Sequence, residues 1–156
     1  MPTSDPTIER KFPLAKQEGY QITSPETPSY NCIAWTIGRN DKWMWPHPDY
    51  FWPTNLSYSA KLSVFIKLYE SYGYIICKDE KYEKGFEKIA IYVTENTDIV
   101  THAARQLESG KWTSKLGNYK DIKHTLEGLT NSSYGKVAAI VKRLSKITRP
   151  QFLFGT

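Results

Sequence analysis

Residues 42–53, Lys-Trp-Met-Trp-Pro-His-Pro-Asp-Tyr-Phe-Trp-Pro, constrain the fold more than any other stretch. Three prolines and five aromatic residues exclude a helix interior or a central strand, because proline fixes φ and offers no backbone N–H. A rigid loop whose rings cover something is expected. Either the rings lid the core, or Trp43 and Trp45 wall a substrate cleft.

Around this loop the chain reads as one globular domain. It has 156 residues, 40% apolar and 24% charged, enough for a real core. A net charge of +5 favours acidic partners and is too small to imply nucleic acid by itself. The two cysteines, Cys32 and Cys77, make no disulfide framework, and no Cys/His spacing suits zinc. The glycines are scattered rather than gathered into a phosphate-cradling loop, so no cofactor is expected. The start, Met-Pro-Thr-Ser-Asp-Pro, has no basic or apolar leader segment. No apolar run is long enough to cross a membrane. The expected location is the cytoplasm, with both thiols reduced.

Residues 1–29 read as an irregular arm with one extended piece at Tyr20-Gln21-Ile22. The domain is expected over 30–149 and a tail over 150–156. Asn31 suits a helix N-cap and Gly38 the position just past the end, which predicts a short helix carrying Cys32 in its first turn. Leu62, Phe65, Ile66, Tyr69 and Tyr72 share one face and predict a helix over 57–72, closed by Gly73. Strands are expected at 74–77, 88–93 and 99–107. A further strand at 111–116 pairs with the last as a hairpin across Glu108-Ser109-Gly110. Ile122, Leu126 and Leu129 predict a helix over 121–129. Val137, Ile140, Val141 and Leu144 predict another over 134–146, with Lys136, Lys142, Arg143 and Lys146 on a solvated basic face. The fold class is α+β with an antiparallel sheet.

Cys32 at a helix start is the candidate nucleophile. The helix dipole and free N–H groups there favour a thiolate and can hold an oxyanion. His102, opening a strand beside the small residues Ala103 and Ala104, is the candidate base. Its second ring nitrogen needs an orienting acceptor, for which Asp121, His124 and Ser114 are the candidates by type. On a helix Asp121 and His124 share a face. Gln106 lies on the same side of its strand as His102 and can bind substrate, while Arg105 points away and suits a carboxylate partner. Cys77, ending an apolar strand, reads as a small buried hydrophobe. His47, in the Pro-rich loop, has no evident partner.

A cysteine helix, then a sheet, then a histidine strand resembles the papain-like superfamily, especially its NlpC/P60-type peptidases and amidases. Asn31-Cys32-Ile33-Ala34-Trp35 resembles the nucleophile helix. Thr101-His102 through Gly110-Lys111-Trp112 resembles the histidine strand and its hairpin, where Ser114-Lys115 falls at the third catalytic position. The resemblance implies an antiparallel sheet packed on an N-terminal Cys-bearing helix with flanking helices. The motifs Asn-Cys-Ile-Ala-Trp, Thr-His-Ala-Ala-Arg-Gln and Trp-Thr-Ser-Lys-Leu-Gly also resemble an uncharacterised bacterial domain family over most of 29–146.

Two functions are therefore expected. One is a cysteine hydrolase acting on peptides or on small amides, thioesters or esters. Cys32 is its nucleophile and His102 its base, one of Asp121, His124 or Ser114 orients the ring, and Asn31, Trp35, Trp43, Trp45 and Gln106 line the cleft. The alternative is a binding module on the same fold that uses the loop 43–53. Nucleic-acid binding through the basic helix ranks below both, and no membrane partner is expected.

Overall fold

Side chains alternate across β3 (Phe86–Val93), and that alternation divides the molecule. Ile89, Ile91 and Val93 enter one buried cluster, while Ala90 and Tyr92 enter another. Six of the strand's eight residues are buried, so the sheet carries a cover on each face.

The structure, a computed structural model, describes residues 4–145. The further strands are β1 (Tyr20–Ser24), β2 (Ile75–Cys77), β4 (Val100–Gln106), β5 (Trp112–Lys115), β6 (Asp121–His124) and β7 (Lys136–Leu144). They form a seven-stranded sheet in the order β1-β6-β5-β4-β3-β7-β2, and every pairing is antiparallel. The helices are α1 (Pro6–Lys11), α2 (Pro13–Glu18), α3 (Cys32–Thr36) and α4 (Leu62–Glu70). The class is thus α+β with an antiparallel sheet, and none of these helices is long and apolar enough to cross a membrane.

One cover comprises α3, α4 and the aromatic loop, whose Cys32, Ile33, Met44, Trp52, Phe65 and Tyr69 pack with Ile89, Ile91 and Ala103. The other comprises α1 and α2, whose Ile8, Phe12 and Ala15 pack with Tyr92, Ala104, Trp112 and Ile122.

The first cover follows sequence expectation at α3. The Asn31 side-chain oxygen accepts from the backbone N–H of Ala34, and Gly38 sits just beyond the helix at φ 79°. The helix expected over 57–72 is shorter, because its first residues pair elsewhere. Lys61 bridges Ile99, and Val100 donates its N–H to the Ala60 carbonyl at 2.8 Å.

Three expectations need correction. The first concerns the arm, whose described residues from Ser4 onward carry more than the extended piece expected at Tyr20-Gln21-Ile22, which is β1: Asp5 caps α1 through Thr7 and Ile8, Pro6 starts that helix, α2 follows, and β1 closes the sheet edge against β6.

The second concerns residues 121–124, which form a strand, followed by a single 3-10 turn at Glu127–Leu129. The turn at Gly117, held at φ 61°, sends the chain straight back along β5.

The third concerns the basic helix, which is β7, paired on both sides with β3 and β2. A register shift between Ile91 and Tyr92 leaves Ala138 unpaired, so Val137 and Ile140 share the Tyr92 face while Ala139 and Val141 share the Ile91 face. A strand that sends apolar residues to both clusters and is broken by a bulge therefore mimics helical spacing. Its β-branched residues favour the extended state. Gly135 enters this strand at φ 79°, where an added Cβ would lie 1.9 Å from the Val93 carbonyl oxygen. The basic residues are not one stripe: Lys142 pairs with Glu83, and Arg143 with Glu87. Lys146 and the tail 150–156 lie outside the described residues.

Candidate functional site

Asn31 does two jobs at the start of α3. Besides capping the helix, its side-chain oxygen accepts from the Met44 N–H at 3.0 Å, and its amide donates to the Met44 carbonyl at 2.7 Å. One side chain thus pins the aromatic loop to the cysteine helix.

Cys32 is buried under that junction, against Ala103 of β4. Burial pushes its thiol up to about 11, against the pull of the Ala103, Ile33 and Cys32 backbone N–H groups and the Lys115 charge. At neutral pH the group is a thiol, not a thiolate.

The sheet beneath α3 is polar. Tyr30 donates to Asp121 Oδ2 at 2.6 Å. Burial raises the Asp121 pKa against that hydrogen bond, and its Oδ1 has no partner among the described residues. Lys115 donates to the carbonyls of Thr27 and Gly117 and lies 4.9 Å over the Tyr30 ring. The Trp35 indole donates to Thr113 Oγ1 at 3.1 Å and carries the Arg105 guanidinium 4.9 Å over its ring. Strand alternation in Trp-Thr-Ser-Lys and Ala-Ala-Arg puts Thr113, Lys115 and Arg105 on this face, so Arg105 points away from His102 as expected, but it lies on the Trp35 ring rather than on the expected carboxylate. Tyr30 carried no such signal.

His102 goes the other way. It pairs across the sheet with Tyr92, so its ring enters the α1–α2 side, stacked 4.1 Å from Tyr134. Its Nε2 lies 2.8 Å from Ser114 Oγ, and Ser114 Oγ lies 2.7 Å from His124 Nε2.

The protons in this chain can be assigned. Thr125 offers only a carbonyl to His124 Nδ1, at 2.7 Å, so Nδ1 carries the proton. In neutral His124 the Nε2 then accepts from the Ser114 hydroxyl, whose oxygen accepts from His102 Nε2–H. That leaves His102 Nδ1 as a bare acceptor, buried and without a partner among the described residues. Burial, then the nearby His124, holds His102 well below its usual pKa, and burial lowers His124 to about 4.

The structure therefore joins His102 to Ser114 and His124, and does not join it to Cys32. Neighbours on β4 leave opposite faces: Ala103 lies under Cys32, and His102 packs beneath the α1–α2 cover. Asp121 and His124 fall on opposite faces too, because a strand replaces the helix that would have aligned them.

The expected substrate contacts are also dispersed. Gln106 donates to the Glu80 and Gly110 carbonyls. Trp45 packs on Phe65 at 5.4 Å between centroids. Trp43 lies 6.0 Å from the exposed ring of Tyr50. His47 accepts from the Asp49 N–H through Nδ1 and contacts the same Tyr50 ring. Cys77, read as buried, is half-exposed.

No curated protein and no solved structure matches the chain. Residues 21–142, spanning β1, the cysteine helix, the aromatic loop and most of β7, match the family described as Domain of unknown function (DUF7689). The chain belongs to that family.

Proposed function

We propose that the chain is a non-catalytic binding module that presents its aromatic loop, on a frame of papain-like layout whose cysteine and histidine are uncoupled. The observation that carries this reading is the separation of Cys32 and His102 by the sheet. A base must reach its nucleophile, and this ring is committed to Ser114 on the far face.

The loop has the construction of a recognition surface. Asn31 fixes its backbone at Met44, and Trp52 and Trp45 anchor it on Phe65. The opposite side presents Trp43, His47, Tyr50 and Phe51, with Lys42 3.9 Å over the Phe51 ring. Rings held in place before contact lose little conformational freedom on binding, which favours peptides and planar ligands.

A peptide array provides the test. Peptides retained by the wild-type chain should be lost by the Tyr50→Ala/Phe51→Ala double variant and kept by Cys32→Ala. Equal retention by the double variant would sink the proposal.

The hydrolase reading keeps one supporting observation, the backbone N–H groups of Cys32, Ile33 and Ala103 gathered around the sulfur. Turnover of a fluorogenic amide, ester or thioester that disappears in Cys32→Ala would restore it.

A further inference from the structure

A cavity of about 650 Å³ opens beside the C-terminal end of α3, between the start of β3 and the ends of β4 and β7. It shares no lining residue with the aromatic loop. Its volume falls in the range of small-molecule sites. The feature that singles it out is Arg105.

The Arg105 guanidinium is held flat on Trp35, and Trp35 is itself tied to Thr113. Its Nε is buried with no hydrogen-bond partner among the described residues. The neighbouring cation, Arg143, is already committed to Glu87 and to the Tyr72 carbonyl. A fixed guanidinium with a buried donor unspent is costly unless an acceptor completes it. The rest of the wall is mixed: Lys84 and Gln106 are polar, and Ile37, Tyr82 and Phe86 are apolar.

We propose that this cavity binds a small molecule carrying a carboxylate or phosphate on a planar apolar body, with Arg105 holding the oxyanion and Phe86 and Tyr82 receiving the body. The planar fork of arginine matches two oxygens of either group, and its stacking on Trp35 fixes the direction from which they arrive. Lys84 at the mouth adds a second positive charge for a doubly charged phosphate. Glu108, also at the mouth, is exposed and opposes an anion only weakly.

Benzoate and phenyl phosphate, titrated separately into the full chain at low salt, test this and separate the two oxyanions. At least one should saturate and shift the Arg105 Nε–H and Trp35 indole resonances. Arg105→Gln should weaken that binding about tenfold or more, the loss of a charge-assisted pair. Absence of saturation by both probes up to about 10 mM, or equal affinity in the variant, overturns the proposal. If Arg105→Gln does not fold, the wild-type chain still decides. A saturating probe should slow modification of Arg105 by phenylglyoxal, and an unchanged rate is the contrary result. The loop plays no part in this measurement, so its outcome stands apart from that of the peptide array.

Discussion

The two faces of the sheet hold similar residue types in opposite states. Under α3 the ionisable groups Lys115, Asp121 and Arg105 sit with Tyr30 and Trp35, close to a thiol that burial keeps protonated. Under α1 and α2 two imidazoles share one serine, and burial keeps both neutral. The difference teaches that adjacency on a strand is separation in space. Ala103 and His102 are one residue apart, and they face different solvents of packed side chains. A catalytic pair read from sequence needs its strand parity right before its distance matters.

The largest expected effect falls on the histidine face. Ser114→Ala removes the hydroxyl between His102 and His124 and strands a buried donor on one ring and an acceptor on the other. Two groups at about 1–3 kcal/mol each suggest a loss of about 3 kcal/mol. Cys32→Ala, which only deletes a buried sulfur, should lose about 1–2 kcal/mol. Urea denaturation of both variants measures the gap. A larger loss for Cys32→Ala would mean that the polar chain is not what holds the histidine face.

The same comparison predicts opposite pH limits. His124 titrates at about 4 in the fold against a usual 6.5, so the unfolded chain takes up the proton first as pH falls. Its stabilising contribution is whole above pH 6.5 and is lost on the way down to pH 4. The loss amounts to about 3 kcal/mol, and His102 adds to it in the same direction. Cys32 does the reverse: its contribution is whole below pH 9.0 and is lost as pH rises towards 11. Stability measured across pH should fall at both ends. His124→Gln should make the acid limb alone shallower, and Cys32→Ala the alkaline limb alone. If either variant makes both limbs shallower, the faces are coupled.

Thiol reactivity gives a third, somewhat smaller effect. The rise of Cys32 from 9.0 to about 11 leaves roughly a hundredfold less thiolate at a given pH, and burial slows access further. Native-state iodoacetamide should therefore label half-exposed Cys77 first, with Cys32 following at least about a hundredfold more slowly. Faster labelling of Cys32 would contradict the burial described for the α3 face and revive nucleophilic chemistry there.

What could be read without coordinates divides along physical lines. Local signals held: the Asn31 cap, Gly38 just past the short helix, and the β4–β5 hairpin across Glu108-Ser109-Gly110 all depend on a few neighbouring residues. Signals that depend on what covers a segment failed. β7 looked helical because it sends apolar residues to both clusters and Ala138 breaks its period. Residues 121–124 looked helical because Ile122, Leu126 and Leu129 are apolar at helical spacing whichever elements carry them. The site inherited these errors. Ser114 was among the expected partners of His102 and does bond to it, since both lie on the hairpin whose register was legible. The pairing with Cys32 failed because α3 packs on the Ala103 face of β4 while His102 leaves the other face, and which face of a strand a helix covers is not written in the strand's own residues.

The smallest expected effect concerns the loop over the α3 face, whose inner and outer rings should part company. Trp45 packs on Phe65 within that core, so Trp45→Ala should cost about 2–3 kcal/mol through lost packing. Tyr50 is 46% exposed, and its ring lies against those of Trp43 and His47. Tyr50→Ala should change stability by no more than about 0.5 kcal/mol in urea or thermal unfolding. A ring that contributes so little to the fold has no packing reason to be aromatic, which is why its removal tests recognition rather than folding. A loss of several kcal/mol at Tyr50 would make the outer rings part of the α3-face core and remove the case for a binding surface.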